Sequence, residues 1–163
     1  MPTSRKVMKN NLEETRMNSP RQKDLRKGRF SQANNIYHVT ITTLNRRSIF
    51  KEFNHARNLI KHIKVSDELG YSSTLAFVVM PNHLHWLFQL NQNKSLSKTV
   101  QSLKIISAKT IGAPIWQAGY YDHTVRKQDD IQVIARYIIA NPIRAGLVNR
   151  VGDYPHWDAV WIM

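Results

Sequence analysis

The predicted secondary-structure elements follow one another in the order strand, helix, strand, strand, helix, strand, with one further helix after the last strand. This is the order of the ferredoxin-like split arrangement, an α+β fold with helices on one face of an antiparallel sheet. Residues 72–90 form a near-continuous apolar hairpin suited to the centre of a sheet, and two amphipathic segments separate the strands. With 163 residues, 42% of them hydrophobic, the chain can form one domain with a substantial core.

The first half of the chain supplies three strands and a helix. Residues 36–43 alternate and are rich in β-branched and aromatic side chains, which predicts strand one. Residues 51–69 carry apolar side chains, Phe53 among them, at helical spacing and end before Gly70, which predicts helix one. The apolar runs at 72–80 and 83–90 predict strands two and three.

The second half supplies two helices, a strand and an aromatic tail. A helix is predicted over 95–110, because a serine can cap its start and Gly112 stops it. Residues 115–125 are extended and aromatic, which predicts strand four with irregular edges. A third helix is predicted over 129–142, since two aspartates suit its N-terminus and Pro142 ends it. The tail at 153–161 is apolar enough to pack back on the domain or against a ligand.

The charge balance predicts a polyanionic partner. Twenty-four Lys and Arg against eleven Asp and Glu give a net charge of +13 and a pI near 10.3. Such an excess most often serves nucleic acid, although a ribosome-associated or membrane-surface protein would share it. The absence of cysteine excludes disulfides and thiolate metal sites and favours a reducing compartment. No apolar run approaches the length of a membrane span or a secretory signal, so a cytoplasmic location is expected.

Residues 1–28 differ in composition from the rest. They are basic, contain few large apolar side chains and show no sustained periodicity. We interpret them as an arm that is disordered or partly helical until it meets its partner, with a plain solubilising tail as the alternative. Residues 29–163 then form the single folded domain.

Two histidines occupy alternate positions at the start of predicted strand three. Side chains repeat every two residues in a strand, so His83 and His85 should point to one face and Leu84 to the other. Two imidazoles side by side on a rigid strand supply half of a divalent-metal site. The alternative is a pair of histidines that are simply packed or hydrated on a sheet face.

The third predicted helix carries a phenol and an amide one turn apart. Tyr137 and Asn141 are four residues apart and therefore share a helix face, at the margin of the buried stripe. Individually they suit a core aromatic and a helix-ending residue. Together with His83 and His85, in so basic a chain, they suit phosphate chemistry. Two imidazoles and an amide oxygen can hold Mg²⁺ or Mn²⁺, and an activated tyrosine can attack a phosphate and retain its bond energy in a phosphotyrosine.

These motifs resemble those of the HUH single-tyrosine transposases, and most of all the REP-associated tyrosine transposases. The stretch 80–85, Met-Pro-Asn-His-Leu-His, is similar to their His-hydrophobic-His motif, and 136–148 is similar to the helix that carries their nucleophile. The resemblance extends to 37–40, to Trp116-Gln117 with Tyr121, and to 153–155, and so covers roughly residues 30 to 160 in order. Where many relatives have a glutamine four residues after the tyrosine, this chain has Asn141.

The resemblance implies an RRM-like (ferredoxin-like) fold with a C-terminal tyrosine-bearing helix, and DNA nicking and strand transfer on REP hairpins or single-stranded DNA. Tyr137 is then the nucleophile, and His83, His85 and Asn141 hold the divalent metal. A bacterial, nucleoid-associated location follows, with a monomer favoured over a homodimer. Candidate DNA contacts are the basic residues of the arm, the first loop and the helices, namely Arg26, Lys27, Arg29, Arg46, Arg47, Lys104, Arg126 and Arg144.

Two other functions are compatible with the sequence. A domesticated protein could hold REP hairpins without cleaving them, but binding alone does not require a nucleophile and a metal site together. An RNA-binding RRM-like domain would share the fold, but the central strands lack the aromatic, glycine-flanked signature of that class. The remaining histidines, His38 and His123 among them, have no partner that the sequence identifies.

Overall fold

The computed structural model describes residues 32–126 and 129–160, so the predicted basic arm lies outside the described residues. The described part contains five strands, β1 (Ile36–Thr42), β2 (Ser72–Met80), β3 (His83–Leu90), β4 (Tyr121–Val125) and β5 (Trp157–Ala159). They form one antiparallel sheet in the spatial order β4-β1-β3-β2-β5. The predicted α+β class and the central β2–β3 hairpin are confirmed.

Two long helices cover one face of this sheet and a shorter one covers part of the other. Their bounds are α1 (Phe53–Glu68), α2 (Leu96–Ile111), α3 (Ile131–Ile139) and α4 (Asn141–Arg144). The core under α1 and α2 contains Trp86, whose Nε1 donates to Thr74 Oγ1 at 2.9 Å. The second apolar cluster joins α3 to the opposite face, where Ile138 packs with Leu87 and Val78.

Strand alternation decides which side chains remain for chemistry. In β1, Val39 and Ile41 are fully buried toward α1 and α2. His38 and Thr40 therefore point to the face that carries α3, where they are only half-buried. One face of the sheet thus packs against the main core. The other face packs partly against α3, and the rest of it carries half-buried polar side chains, including His38 and Thr40, which we call the open polar strip.

Strand four and helix one are shorter than predicted. The segment before β4 makes an isolated bridge between Thr43 and Trp116 instead of continuing the strand. Trp116 packs on Phe50 with ring centroids 5.3 Å apart, and its Nε1 donates to Ser107 Oγ at 2.8 Å. Tertiary packing thus overrides its extended propensity. At the start of helix one, Phe53 is 57% exposed, so its predicted place in the buried stripe is wrong.

Pro142 does not terminate the third helix in the way that was predicted. Helix α3 stops at Ile139, and Pro142 lies in the first turn of α4, where its missing N–H costs no hydrogen bond. Gly146 follows with φ +73°, and the N–H of Leu147 reaches the carbonyl of Pro142 at 2.9 Å. These features make the segment a helix-ending turn of the Schellman type.

The aromatic tail packs back on the domain as predicted. β5 pairs with β2, and the N–H of Val79 donates to the carbonyl of His156 at 2.8 Å. The Tyr154 hydroxyl donates to the carbonyl of Val79, and burial raises the pKa of Tyr154 to about 12. This phenol is therefore a structural group. Separately, no helix in the described part of the chain has the length and apolar character needed to cross a membrane.

Candidate active site

The two motif histidines lie on the open polar strip, on one face as predicted. In the β1–β3 pairing, His83 is opposite Thr42 and His85 is opposite Thr40. The two imidazoles meet edge to face, with ring centroids 4.9 Å apart and planes at 84°. Leu84, between them in sequence, is fully buried on the other face.

Each of these imidazoles has its Nδ1 atom engaged by a neighbouring group. His83 Nδ1 is 2.7 Å from Asn82 Oδ1. His85 Nδ1 is 3.0 Å from His38 Nε2 and 3.2 Å from Thr40 Oγ1. The Nε2 atoms are consequently the ones available to a ligand in both rings.

Electrostatics keep both imidazoles neutral. Burial first, and then the charges of His83, His38 and Arg144 in that order, lower the pKa of His85 to about 3. Burial likewise lowers the pKa of His83, with the charge of Arg46 as the second cause. Neutral imidazole is the form that donates a lone pair to a metal ion, so the site is prepared for one at physiological pH.

Tyr137 lies exposed beside a cation. Its side chain is 60% exposed, on the outer part of α3. The guanidinium carbon of Arg144 lies 3.8 Å from the centroid of its ring, and Arg144 Nη2 donates to the Tyr137 carbonyl at 2.6 Å. The charge of the same arginine is also the smallest of the causes that lower the pKa of His85.

Asn141 is oriented by the proline that follows it. Pro142 has no N–H to offer the carbonyl of Ile138, four residues before it, and the Asn141 side chain replaces that donor through Nδ2 at 3.1 Å. With its nitrogen engaged in this way, the amide presents Oδ1 as its remaining acceptor. An amide oxygen is the atom that a hard divalent cation would require.

The donor set fits a divalent cation. The described residues contain no group of three His, Cys, Asp or Glu side chains that could hold a metal. Two neutral imidazole Nε2 atoms and one amide Oδ1 would give a mixed nitrogen and oxygen set, of a kind that suits Mg²⁺ or Mn²⁺ and leaves positions for other oxygens.

Apart from Arg144, which lies over Tyr137, the predicted DNA contacts fall into three groups. Arg46 adopts φ 52° in the first loop and lies near enough to His83 to lower its pKa, and Arg126 is exposed just after β4. Arg47 and Lys104 instead tie loops together: Arg47 Nη2 donates to the Pro114 carbonyl at 3.1 Å, and Lys104 Nζ donates to the carbonyls of Gln117 and Gly119 at 2.8 and 3.0 Å. Three candidates lie outside the described residues, namely Arg26, Lys27 and Arg29.

Sequence reasoning missed His38 and Thr40. The expectation that His38 has no identifiable partner is wrong, because it contacts His85 directly. His123 lies opposite His38 on β4, with its Nε2 3.8 Å from Asp129 Oδ2. The alternation of β1 puts His38 and Thr40 on the face away from the main core. Which of them would reach His85 depended on the β1–β3 register, which the sequence does not specify.

The fold and the site together define a class of protein. Residues 31–141 match the family model described as "Transposase IS200 like", and the chain belongs to that family. It is 29% identical to the REP-associated tyrosine transposase of Escherichia coli (strain K12) over 120 residues, and these aligned residues cover 71% of each chain. It also resembles a solved structure described as "Structure of the REP associates tyrosine transposase bound to a REP hairpin". That match has a TM-score of 0.67 and 27% identity over 79% of each chain. The predicted resemblance to the REP-associated branch is thereby confirmed.

Proposed function

We propose that this protein is a metal-dependent DNA endonuclease and strand transferase, which acts on REP-type hairpins or single strands through a covalent 5′-phosphotyrosine. The substrate class is taken from the similar proteins, one of which is described as bound to a REP hairpin. The observation that carries the proposal is the position of Arg144. It covers the exposed ring of Tyr137 and its charge reaches His85, so nucleophile and histidine pair are combined within one chain.

The nucleophilic step uses the exposed phenol. The Tyr137 oxygen forms a bond to the phosphorus of the scissile linkage, and the bond from phosphorus to the 3′ oxygen breaks. The phenol loses its proton to solvent, and the departing 3′ oxygen gains one to become a free hydroxyl. Because one phosphodiester-type bond replaces another, the linkage energy is retained for the later joining step, in which a DNA 3′ hydroxyl attacks the phosphotyrosine.

The surrounding residues orient the reactants and offset charge. His83 and His85, with Asn141, would hold Mg²⁺ or Mn²⁺, which acts when bound as a Lewis acid on the scissile phosphate. Arg144 stabilises the phenolate that forms on Tyr137, and Arg46 places a second positive charge beside His83. Phosphate contacts from Arg46, Arg126 and Arg144 would position the DNA strand on the open polar strip.

We favour action as a monomer, with a homodimer as the alternative. A tyrosine helix supplied by another subunit would separate Tyr137 from the histidines of its own chain, whereas Arg144 links them within one chain. A DNA substrate and the net charge of +13 would also suit a protein that works at the nucleoid. The basic arm, with Arg26, Lys27 and Arg29, would add affinity for the hairpin.

The test is covalent capture. A labelled REP-type hairpin with a single-stranded flank, incubated with the protein and Mn²⁺ or Mg²⁺, should give an adduct that survives denaturing electrophoresis. Tyr137→Phe should abolish it. Tyr121→Phe is the matched control, because Tyr121 is a second exposed tyrosine and lies on the same sheet face as His85. An adduct that persists in Tyr137→Phe overturns the assignment, and tight hairpin binding without an adduct in either metal favours a hairpin-binding protein without turnover.

A further inference from the structure

We infer that His38 and Thr40 position His85 by holding hydrogen on its Nδ1 atom, so that Nε2 faces the metal. The inference rests on the proposed function for its purpose and on the β1–β3 strand pair for its geometry. In this role His38 and Thr40 are positioning residues that act through His85.

Two side chains of β1 converge on a single atom of β3. Thr40 is directly opposite His85 in the strand pairing, and its Oγ1 lies 3.2 Å from His85 Nδ1. His38, two residues earlier on the same face, brings its Nε2 to 3.0 Å from that nitrogen. Between them, Val39 is fully buried on the opposite face, which anchors this part of β1 in the main core. The side chains that make these contacts are therefore held by a part of β1 whose backbone is fixed by the main core.

His38 faces His85 and not the space in front of the histidine pair. The His38 and His85 rings are 5.2 Å apart at 42°, and the near nitrogen of His38 is engaged with His85 Nδ1. A ring nitrogen engaged in a hydrogen bond has no lone pair to give a metal. His38 therefore supports a ligand and is not one itself.

The hydrogen-bond pattern selects one tautomer. A neutral imidazole carries one N–H, and only its bare nitrogen can bind a metal. Thr40 Oγ1 and His38 Nε2 can both accept from an Nδ1–H of His85, and we assign the hydrogen to that nitrogen, which leaves Nε2 bare. Asn82 Oδ1 does the same for His83 at 2.7 Å. Each motif histidine thus has its own acceptor, and both present the same nitrogen to the metal.

The experiment measures tautomer and metal affinity separately from catalysis. Long-range ¹H–¹⁵N spectra of the metal-free protein, with ¹⁵N-labelled histidine, should show His85 with hydrogen on Nδ1. His38→Leu combined with Thr40→Val should shift His85 toward the other tautomer and weaken Mn²⁺ binding by about 10- to 100-fold, the usual effect of losing such a partner. Hairpin binding without metal should be unchanged. His38→Gln keeps a polar group near the position of His38 Nε2, so it should retain much of the Mn²⁺ affinity that the double variant loses.

His123→Gln is the matched control. It removes a histidine from the neighbouring strand, directly opposite His38, without touching His85, and should change neither readout. A wild-type His85 with hydrogen on Nε2 overturns the inference, as does a double variant that keeps both tautomer and affinity. Equal loss in His38→Gln and in the double variant overturns it as well. If the wild type binds neither Mn²⁺ nor Mg²⁺, the metal part of the proposed function fails, while the tautomer spectra still decide the role of His38.

Discussion

The most informative perturbation is Arg144→Gln. The sequence suggested this arginine only as a DNA contact. The structure places its guanidinium over Tyr137 and its Nη2 on the Tyr137 carbonyl. Replacement by glutamine removes the charge and keeps a polar side chain that can still donate to that carbonyl. The variant should therefore form the covalent adduct more slowly, even when DNA is saturating.

The size of the effect follows from the distance. The guanidinium lies 3.8 Å from the ring centroid, which puts it about 5 Å from the phenolic oxygen. A unit charge at that distance stabilises a phenolate by about 1 kcal/mol in water and about 3 kcal/mol at an effective dielectric constant near 20. Since Tyr137 is 60% exposed, solvent screening favours the lower half of that range. We expect the rate of adduct formation to fall about 5- to 30-fold.

A single-turnover assay with excess protein separates this effect from weaker DNA binding. Arg136→Gln is the control, because it removes the same charge from an exposed position next to Tyr137 on α3. Arg144→Lys should be intermediate, since it keeps the charge but not the planar group. If Arg144→Gln raises only the DNA concentration needed for half-maximal rate, or if Arg136→Gln slows the step equally, Arg144 acts as a DNA contact and the reasoning fails.

Three further predictions concern the metal, a helix cap and pH. Chelation should abolish adduct formation, and Mn²⁺ should restore it; an adduct formed in excess chelator would remove the metal from the mechanism. Asp130 caps α3 by accepting from the N–H groups of Gln132 and Val133 at 2.9 and 3.3 Å, so Asp130→Ala should lower the free energy of unfolding in urea by about 1 kcal/mol, and Asp130→Asn by less. Burial, then the charge of Arg57, lowers the pKa of His156 below 6.5, so the unfolded chain binds the proton first as the pH falls. The contribution of His156 to the free energy of unfolding is thus present above pH 6.5 and declines below it. His156→Phe should reduce the slope of that free energy against pH by at most about 1.4 kcal/mol per pH unit. An unchanged slope would contradict this prediction.

Local patterns predicted several local features of this protein correctly. Alternation in β3 was sufficient to put His83 and His85 on one face. Capping chemistry identified Ser95, whose side chain accepts from the N–H of Lys98, and Asp130 at the start of α3. Such features depend on residues within four positions of one another, so the sequence carries the necessary information directly.

Features set by contacts between distant segments were not predictable in the same way. Trp116 has the composition of a strand residue, but its ring packs on Phe50 and pulls the segment out of β4. The contact between His38 and His85 spans 47 positions and depends on the β1–β3 register. A shift of one residue in that pairing would turn His38 into the main core. The supporting residues of the site were therefore missed, although the motif histidines were found.

Pro142 determines which carbonyls at the end of α3 are left to accept hydrogen bonds from side chains. A proline in an uninterrupted helix would clash with the carbonyl four residues earlier, so α3 ends at Ile139 and α4 begins at Asn141. The exposed carbonyls at the end of α3 then need side-chain donors. Asn141 donates to the Ile138 carbonyl through Nδ2, which leaves Oδ1 as an acceptor, while Arg144 donates to the Tyr137 carbonyl and lies over the phenol ring. The groups that complete this helix end are thus the side chains proposed as the third ligand and as the cation beside the nucleophile, so the break in the helix is compatible with the proposed site.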